Sequence, residues 1–558
     1  MTTPLRRGDL SPSPSSAPPI LSPLRSAASS LLARQYSSKK GGDGTGRPSD
    51  AGSSPAPRPI RTGFVDPSSW RYFDSRAVGI NLDAIPRDIW AVLRKLKQQG
   101  FEAYLVGGCV RDLLLKRVPK DFDVITSASL QQLKKNIFRR CLIVGKRFPI
   151  CLLKMRDSVI EVSSFRTVGG YVNRNKEVDY LEELNRYDDR DILRWKNSMR
   201  RDFTINSLFF NPMNYKIYDY VNGVRDMRKN KVCTVIPAHL SFMEDPARIL
   251  RGFRIAARLG FQFSSETSNA IHDLASSIAN IDKARLMMEM NYMLSYGAAE
   301  PSVRLLRTYG LLDVLLPFQA AYLSDQMKDG ASDKDLMLMK LLANLDRLLS
   351  ADQPCHQSLW LALLVFHSTL VISPQDTLVV RGFAALLYFG SWESAIKFLN
   401  EEVGDKVSFV PETLGPSRIK LDDLMEHISH LASLIKSSVH TLTCLDDLEQ
   451  SLARFSKSPQ FSGVVLGSNK DKKRLLEIFE GLDSDLASYD ERRRMHGICY
   501  WSLKNGDPAE VRFVLGKVIM DTICDDLPCD STGDADAALT MEPAANLADG
   551  SRPLSAMF

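Results

Sequence analysis

The sequence predicts a small α/β head, a mixed sheet with flanking helices, followed by an all-α neck and body. Three observations predict it. Strand-like apolar runs alternate with helical patterns between residues 86 and 163. Beyond Asp245 the pattern stays helical, with no clear strand as far as 456–470. No run of about 18 uninterrupted apolar residues suggests a membrane span. With 44% hydrophobic and 25% charged residues among 558, wholesale disorder, collagen and coiled coil are excluded. At about 150 residues per domain, the length suggests three or four domains.

Residues 1–60 do not read as folded. They are basic, rich in Ser, Pro and Gly, and acid-poor, with only Asp9 acidic before Asp43. That is transit-peptide composition. Arg25 and Arg34 with Ala27, Ala28, Leu31 and Leu32 suit a short amphipathic helix, and Arg34-Gln35-Tyr36-Ser37-Ser38 resembles a mitochondrial presequence cleavage site. The expected address is the mitochondrion, with the chloroplast as alternative, since both leaders share this composition.

From Pro86, Ile89, Trp90, Leu93 and Leu96 recur at helical spacing, and Gly100 ends the helix. Tyr104–Val106 reads as a buried strand, Gly107-Gly108 as a tight turn and Val110–Leu115 as the start of a helix. Phe122–Ile125 is the next strand, followed by a helix near Leu130–Phe138. Leu142–Val144, Ile150–Met155 and Val159–Ser163 give three further strands. Residues 167–199 are polar and strongly charged and read as a mobile loop. Leu359–Ile372 is a core helix, and 525–558 are acidic, Ala-rich and disordered. The predicted divisions are a leader and linker at 1–60, a head at 85–235, a neck at 236–330, a helical body at 331–520 and an acidic tail at 521–558.

Formal charge is +6 overall. The leader holds eight bases and three acids, and 521–558 holds eight acids and one Arg, leaving +8 on 61–520. A mildly basic body fits nucleic acid or nucleotide handling. Nine cysteines without CxxC suggest free thiols in a reducing compartment.

The sharpest chemical signal is Lys120-Asp121-Phe122-Asp123-Val124. In a strand, positions i and i+2 share a face, so Asp121 and Asp123 project together and repel unless a cation lies between them. Mg²⁺ suits such a pair, because it commonly bridges one or two carboxylates to substrate phosphates. Upstream, Gly107-Gly108-Cys109-Val110-Arg111-Asp112 joins a strand to a helix. Glycines permit close backbone approach, and the helix start offers free N–H groups. A third carboxylate could be Glu161, on the polar side of its strand, or Asp202. In Glu244-Asp245-Pro246-Ala247-Arg248, Asp245 reads as the cap and Pro246 as the first helical residue. Arg248, Arg251 and Arg254 follow three apart. Asp245 and Arg248 then offer one acceptor and one donor side by side.

Five blocks carry a resemblance. Leu105–Leu115, Asp121–Thr126, Arg200–Leu208, Asp219–Asp226 and Glu244–Arg251 resemble, in order, the motif blocks of class II tRNA nucleotidyltransferases and bacterial-type poly(A) polymerases. The match covers about residues 85–320. It implies a nucleotidyltransferase head and a two-metal enzyme that adds AMP from ATP to an RNA 3′ end. By analogy Asp121 and Asp123 hold Mg²⁺, with Glu161 or Asp202 as a further acid. Gly108, Arg111 and Arg201 bind the triphosphate, with Gly107 and Asn206 in the same nucleotide set. Asp245 and Arg248 read the base, with Arg251 nearby. Ile143-Val144-Gly145-Lys146-Arg147-Phe148 matches the block characteristic of poly(A) polymerases and favours that branch over CCA addition, in which CTP is also used. A catalytically inactive RNA-binding protein is the non-enzyme alternative. No membrane partner is expected.

Overall fold

The computed structural model describes residues 67–524 apart from 146–148, 156–157, 167–187, 329, 331, 333–334, 402–408, 415–418, 421–422, 456–463, 485, 492 and 494–496. Residues 1–66, where a leader is expected, residues 525–558 and Lys146–Phe148 of the Ile143–Phe148 block therefore lie outside the described residues.

The head is an eight-stranded mixed sheet of β1 (Arg71–Asp74), β2 (Ala103–Val106), β3 (Asp123–Thr126), β4 (Cys141–Val144), β5 (Ile150–Lys154), β6 (Val159–Ser164), β7 (Phe209–Asn211) and β8 (Lys216–Asp219). Their order is β1-β8-β7-β2-β3-β6-β5-β4. Adjacent strands are antiparallel except β3 and β6, whose parallel register sets Asp123 opposite Glu161. The period of two sorts the side chains. Leu105, Val124, Val162 and Phe210 enter the main hydrophobic cluster, while Tyr104, Val106, Ile125 and Phe209 form a smaller one with Trp70 and Tyr220. Helix α1 (Arg87–Gln98) lays Ile89, Val92, Leu93 and Leu96 on the first face. Helix α2 (Gly108–Leu114) follows β2 directly.

Several sequence expectations are corrected. Strand β3 starts at Asp123, so Asp121 precedes it rather than sharing the strand. Strand β1 carries the sheet upstream of the expected head boundary at 85 through its pairing with β8. The sequence reading does not include it, nor β7 and β8, among the strands. The expected loop at 167–199 contains α3 (Asp189–Ser198), begun by the Asp188 carboxylate accepting the Arg190 amide. Its buried inward residue is an arginine, which hid it from an apolar pattern. Arg194 pairs with Asp191 at 2.5 Å, donates to Tyr220 Oη at 2.6 Å and to Tyr104 Oη at 2.5 Å, and lies over the Tyr218 ring. Short strands also interrupt the region read as wholly helical, Gln262–Phe263 beside Lys231–Val232 and Gln375–Asp376 beside Thr413–Leu414. Cys141 and Cys151 are joined as a disulfide across β4 and β5, against the expectation of free thiols.

After β8 the chain is otherwise helical. Helix α4 (Ala247–Leu259) buries Ile249, Leu250, Phe253, Ile255 and Ala256, and α5 (Lys283–Leu294) packs against it. The core helix read over Leu359–Ile372 is α6 (Gln357–Ile372), buried continuously from Ser358 to Val371. A helix apolar all round belongs at the centre of a body. One hydrophobic cluster runs from Val78 to Ile523, so head, neck and body share a core. Among the described residues, no helix is long and apolar enough to cross a membrane.

Candidate active site

The site begins where β2 ends. Gly107 has φ +80°, and a Cβ there would lie 3.0 Å from Arg201 Nη1 and 3.5 Å from Asp123 Oδ2. Only glycine accepts this conformation cheaply and leaves the guanidinium and carboxylate their space. One turn into α2, buried Arg111 donates to Asp112 Oδ1 at 2.7 and 2.8 Å and to Asn206 Oδ1 at 2.7 Å. Asn206 passes the contact on. Its side-chain amide donates to Asp202 Oδ1 at 3.3 Å, and its carbonyl accepts Arg201 Nη1 at 3.1 Å. Asp202 also accepts the Phe203 amide at 2.8 Å, and its second oxygen faces Arg251 Nη1 on α4 at 3.3 Å. This network ties the head to the neck helix.

Asp123 stands beside Glu161 by the β3–β6 register. Its carboxyl is pushed up to about 6, first by burial, then by Glu161 and Asp121, against the pull of Arg201 and Arg251. Among the described residues, no three His, Cys, Asp or Glu side chains lie close enough to hold one ion by themselves. Two carboxylates completed by phosphate oxygens need no third protein ligand. A crowded, partly buried carboxylate whose charged form is disfavoured is what a divalent cation would relieve, and the donor set fits one. Asp202, the other candidate acid, is engaged by the Phe203 amide, Asn206 and Arg251, which suits it to hold the head against α4.

Burial lowers the Arg201 pKa, with Asp123 and Asp202 opposing. Burial also works against the charge on Arg251, but Asp202, Glu289 and Asp245 outweigh it and raise its pKa. Helix α4 starts at Ala247, one residue later than read, and the Asp245 carboxylate accepts the Ala247 amide at 3.3 Å. Its other oxygen pairs with Arg285 at 2.6 Å. Arg248 Nη1 meets Ser241 Oγ at 2.9 Å and Glu244 at 3.0 Å.

The charged groups and the glycine turn of this site line one cavity of about 920 Å³. It contains Asp121, Asp123, Glu161, Asp202, Gly107, Gly108, Arg111, Arg201, Asn206, Asp245, Arg248 and Arg251, which is every site residue the sequence singled out. It also contains Lys120, Arg254, Arg258, Arg285, Glu289, Tyr292 and Tyr296, which sequence reasoning did not place there. Arg254 and Arg258 were visible as continuations of the Arg248 stripe, whose face turns inward. Arg254 meets Glu289 at 3.4 Å and lies over the Tyr292 ring. The α5 residues had no motif to announce them.

Residues 103–233 match the family model for the poly A polymerase head domain, and 260–323 match the model for the probable RNA and SrmB-binding site of polymerase A, a stretch that includes α5. Poly(A) polymerase I of Salmonella typhi is 32% identical over 401 residues, covering 67% of this chain and 83% of that enzyme. The chain belongs to the bacterial-type class II nucleotidyltransferase family. Poly(A) polymerase I of Haemophilus influenzae, another member, is 36% identical over 262 residues, 46% of this chain and 58% of that one. The family's CCA-adding enzyme of Staphylococcus epidermidis is 27% identical over 305 residues, 53% of this chain and 68% of that one.

Proposed function

We propose that this nucleotidyltransferase adds AMP from ATP to RNA 3′ ends without a template, in the manner of a poly(A) polymerase, with Mg²⁺ as its metal and the mitochondrion, or else the chloroplast, as its compartment. The observation that carries the reading is the single cavity in which the Asp121, Asp123 and Glu161 carboxylates face Arg111, Arg201 and Arg251, with Asp245 and Arg248 on the same wall system. Arg201 and Arg111 bind the polyphosphate, beside the glycine turn that lets the backbone approach. Asp121 and Asp123 would hold Mg²⁺, which when bound supplies the Lewis acidity that favours attack on the α-phosphate and departure of pyrophosphate. The RNA 3′ oxygen bonds to the α-phosphorus as the bond to the β-phosphate breaks. Asp245 accepts from the adenine amino group once Arg285 yields it, and Arg248 donates to a ring nitrogen. Guanine and uracil reverse that order and leave both groups unpaired, at about 1–3 kcal/mol each. Cytosine shares adenine's order, so this pair does not reject CTP.

The alternative within the family is CCA addition. Ile143-Val144-Gly145-Lys146-Arg147-Phe148 supports the poly(A) branch. The test offers the purified chain Mg²⁺, each labelled NTP in turn, and either a tRNA lacking CCA or an unstructured oligomer. Repeated AMP addition to the oligomer is expected. Restriction to completing CCA on the tRNA overturns the branch, and RNA binding without incorporation overturns the enzyme.

A further inference from the structure

Two tyrosines in the cavity have no part in the chemistry above. Tyr292 lies in the last full turn of α5, and Tyr296 follows in the turn that leaves it. Their ring centroids are 5.3 Å apart, tilted by 47°. The turn is fixed from behind. The Ser295 carbonyl accepts the Cys355 amide at 3.1 Å, and Gly297, at φ +73°, sits where a Cβ would come within 2.4 Å of the Leu349 carbonyl oxygen. Cations face both rings. Lys120 Nζ is 4.3 Å from the Tyr296 centroid and 5.9 Å from that of Tyr292, and the Arg254 guanidinium carbon is 4.7 Å from Tyr292. Lys120 immediately precedes Asp121, so the rings stand next to the carboxylates. Burial and then Asp121 raise the Tyr296 phenol pKa. Neither hydroxyl has a hydrogen-bond partner among the described residues.

We infer that Tyr292 and Tyr296 form a stacking platform for the base of the RNA's 3′-terminal nucleotide, with Lys120 as the contact to its phosphodiester. This rests on the proposed RNA 3′-end activity. Paired aromatic faces with flanking cations are the physical means of holding single-stranded nucleic acid, and stacking tolerates any base because every base has a π face. A 3′ end of arbitrary sequence needs that tolerance, whereas the incoming base meets the polar pair Asp245 and Arg248. Lysine is a compact charge on a flexible stem and can leave the ring for a phosphate.

The test titrates the full chain, without ATP, against a labelled unstructured RNA oligomer and the same oligomer with an abasic 3′-terminal nucleotide. The parent is expected to bind the abasic end roughly 5- to 100-fold more weakly. Tyr292→Ala and Tyr296→Ala should lose most of that distinction and raise the RNA KM while the ATP KM stays within about two-fold. Tyr296→Phe and Tyr296→Trp should keep it, which guards against a misfolded Ala variant. Lys120→Ala should reduce the slope of log affinity against log salt by roughly 0.7. A parent indifferent to the abasic end, Ala variants that still distinguish it, or a rise in ATP KM in place of RNA KM overturns the platform. The binding comparison needs no turnover, so a chain that incorporates no nucleotide refutes the enzymatic reading separately.

Discussion

At the scale of single residues, Asp123 is the most exposed to test. Asp121→Ala or Asp123→Ala should abolish incorporation and leave the fold intact, since either change removes a like charge from the metal-free protein; activity above a few per cent of the parent in both variants contradicts the metal assignment. The pH dependence has a definite sign. The folded pKa near 6 stands above the unfolded value near 3.9. The folded, metal-free protein therefore holds an extra proton between these values, so its stability declines as pH rises from about 4 through about 6. Asp123→Asn should gain on the parent over that window, by roughly 1–3 kcal/mol above it. Urea midpoints in chelator at several pH values measure this, and a pH-independent difference refutes it. Arg248→Ala should lose base discrimination more than metal binding. Competition between ATP and UTP or GTP checks this, and undiminished rejection of UTP and GTP would reassign Arg248 to phosphate or structure.

At the scale of elements, α3 is held by a charge where most helices use apolar residues. Arg194 is buried against Asp191, Tyr104 and Tyr220. Removing one partner of a buried pair leaves the rest uncompensated, at about 3–5 kcal/mol. Arg194→Met should therefore lower the urea midpoint by a corresponding amount without altering the cavity residues, and a change below about 1 kcal/mol would mean that apolar packing holds the helix. The same helix shows where sequence patterns stop. A run that reads Asp-Arg-Asp-Ile-Leu-Arg-Trp-Lys looks solvated. Its partners Tyr104 and Tyr220 are distant in the chain, so nothing local marks Arg194 as an inward residue.

At the scale of the whole molecule, the charge is divided. Basic residues 1–60 and acidic residues 521–558 flank a body of net +8. Residues 1–36 fused to a reporter should carry it into an organelle. Imaging decides between mitochondrion and chloroplast, and a cytosolic reporter refutes the targeting. Loss of residues 1–60 should leave the nucleotidyl transfer unchanged, because the cavity is built wholly from residues between 107 and 296.

Local order in the chain determined the α/β-then-α succession, α1 and the glycine turn, and the resemblance of five short blocks pointed to the twelve residues that the fold gathers in one cavity. The branch-specific block lies partly outside the described residues and stays a reading of sequence. Only the tertiary structure decided which acid stands beside Asp123. The parallel β3–β6 register brings Glu161 there, while Asp202 turns to Arg251 and Asn206. It also decided that the arginine stripe of α4 faces a cavity and that Tyr292 and Tyr296 line it. Register and burial are set by backbone pairing and desolvation between segments far apart in sequence, and no local periodicity records them.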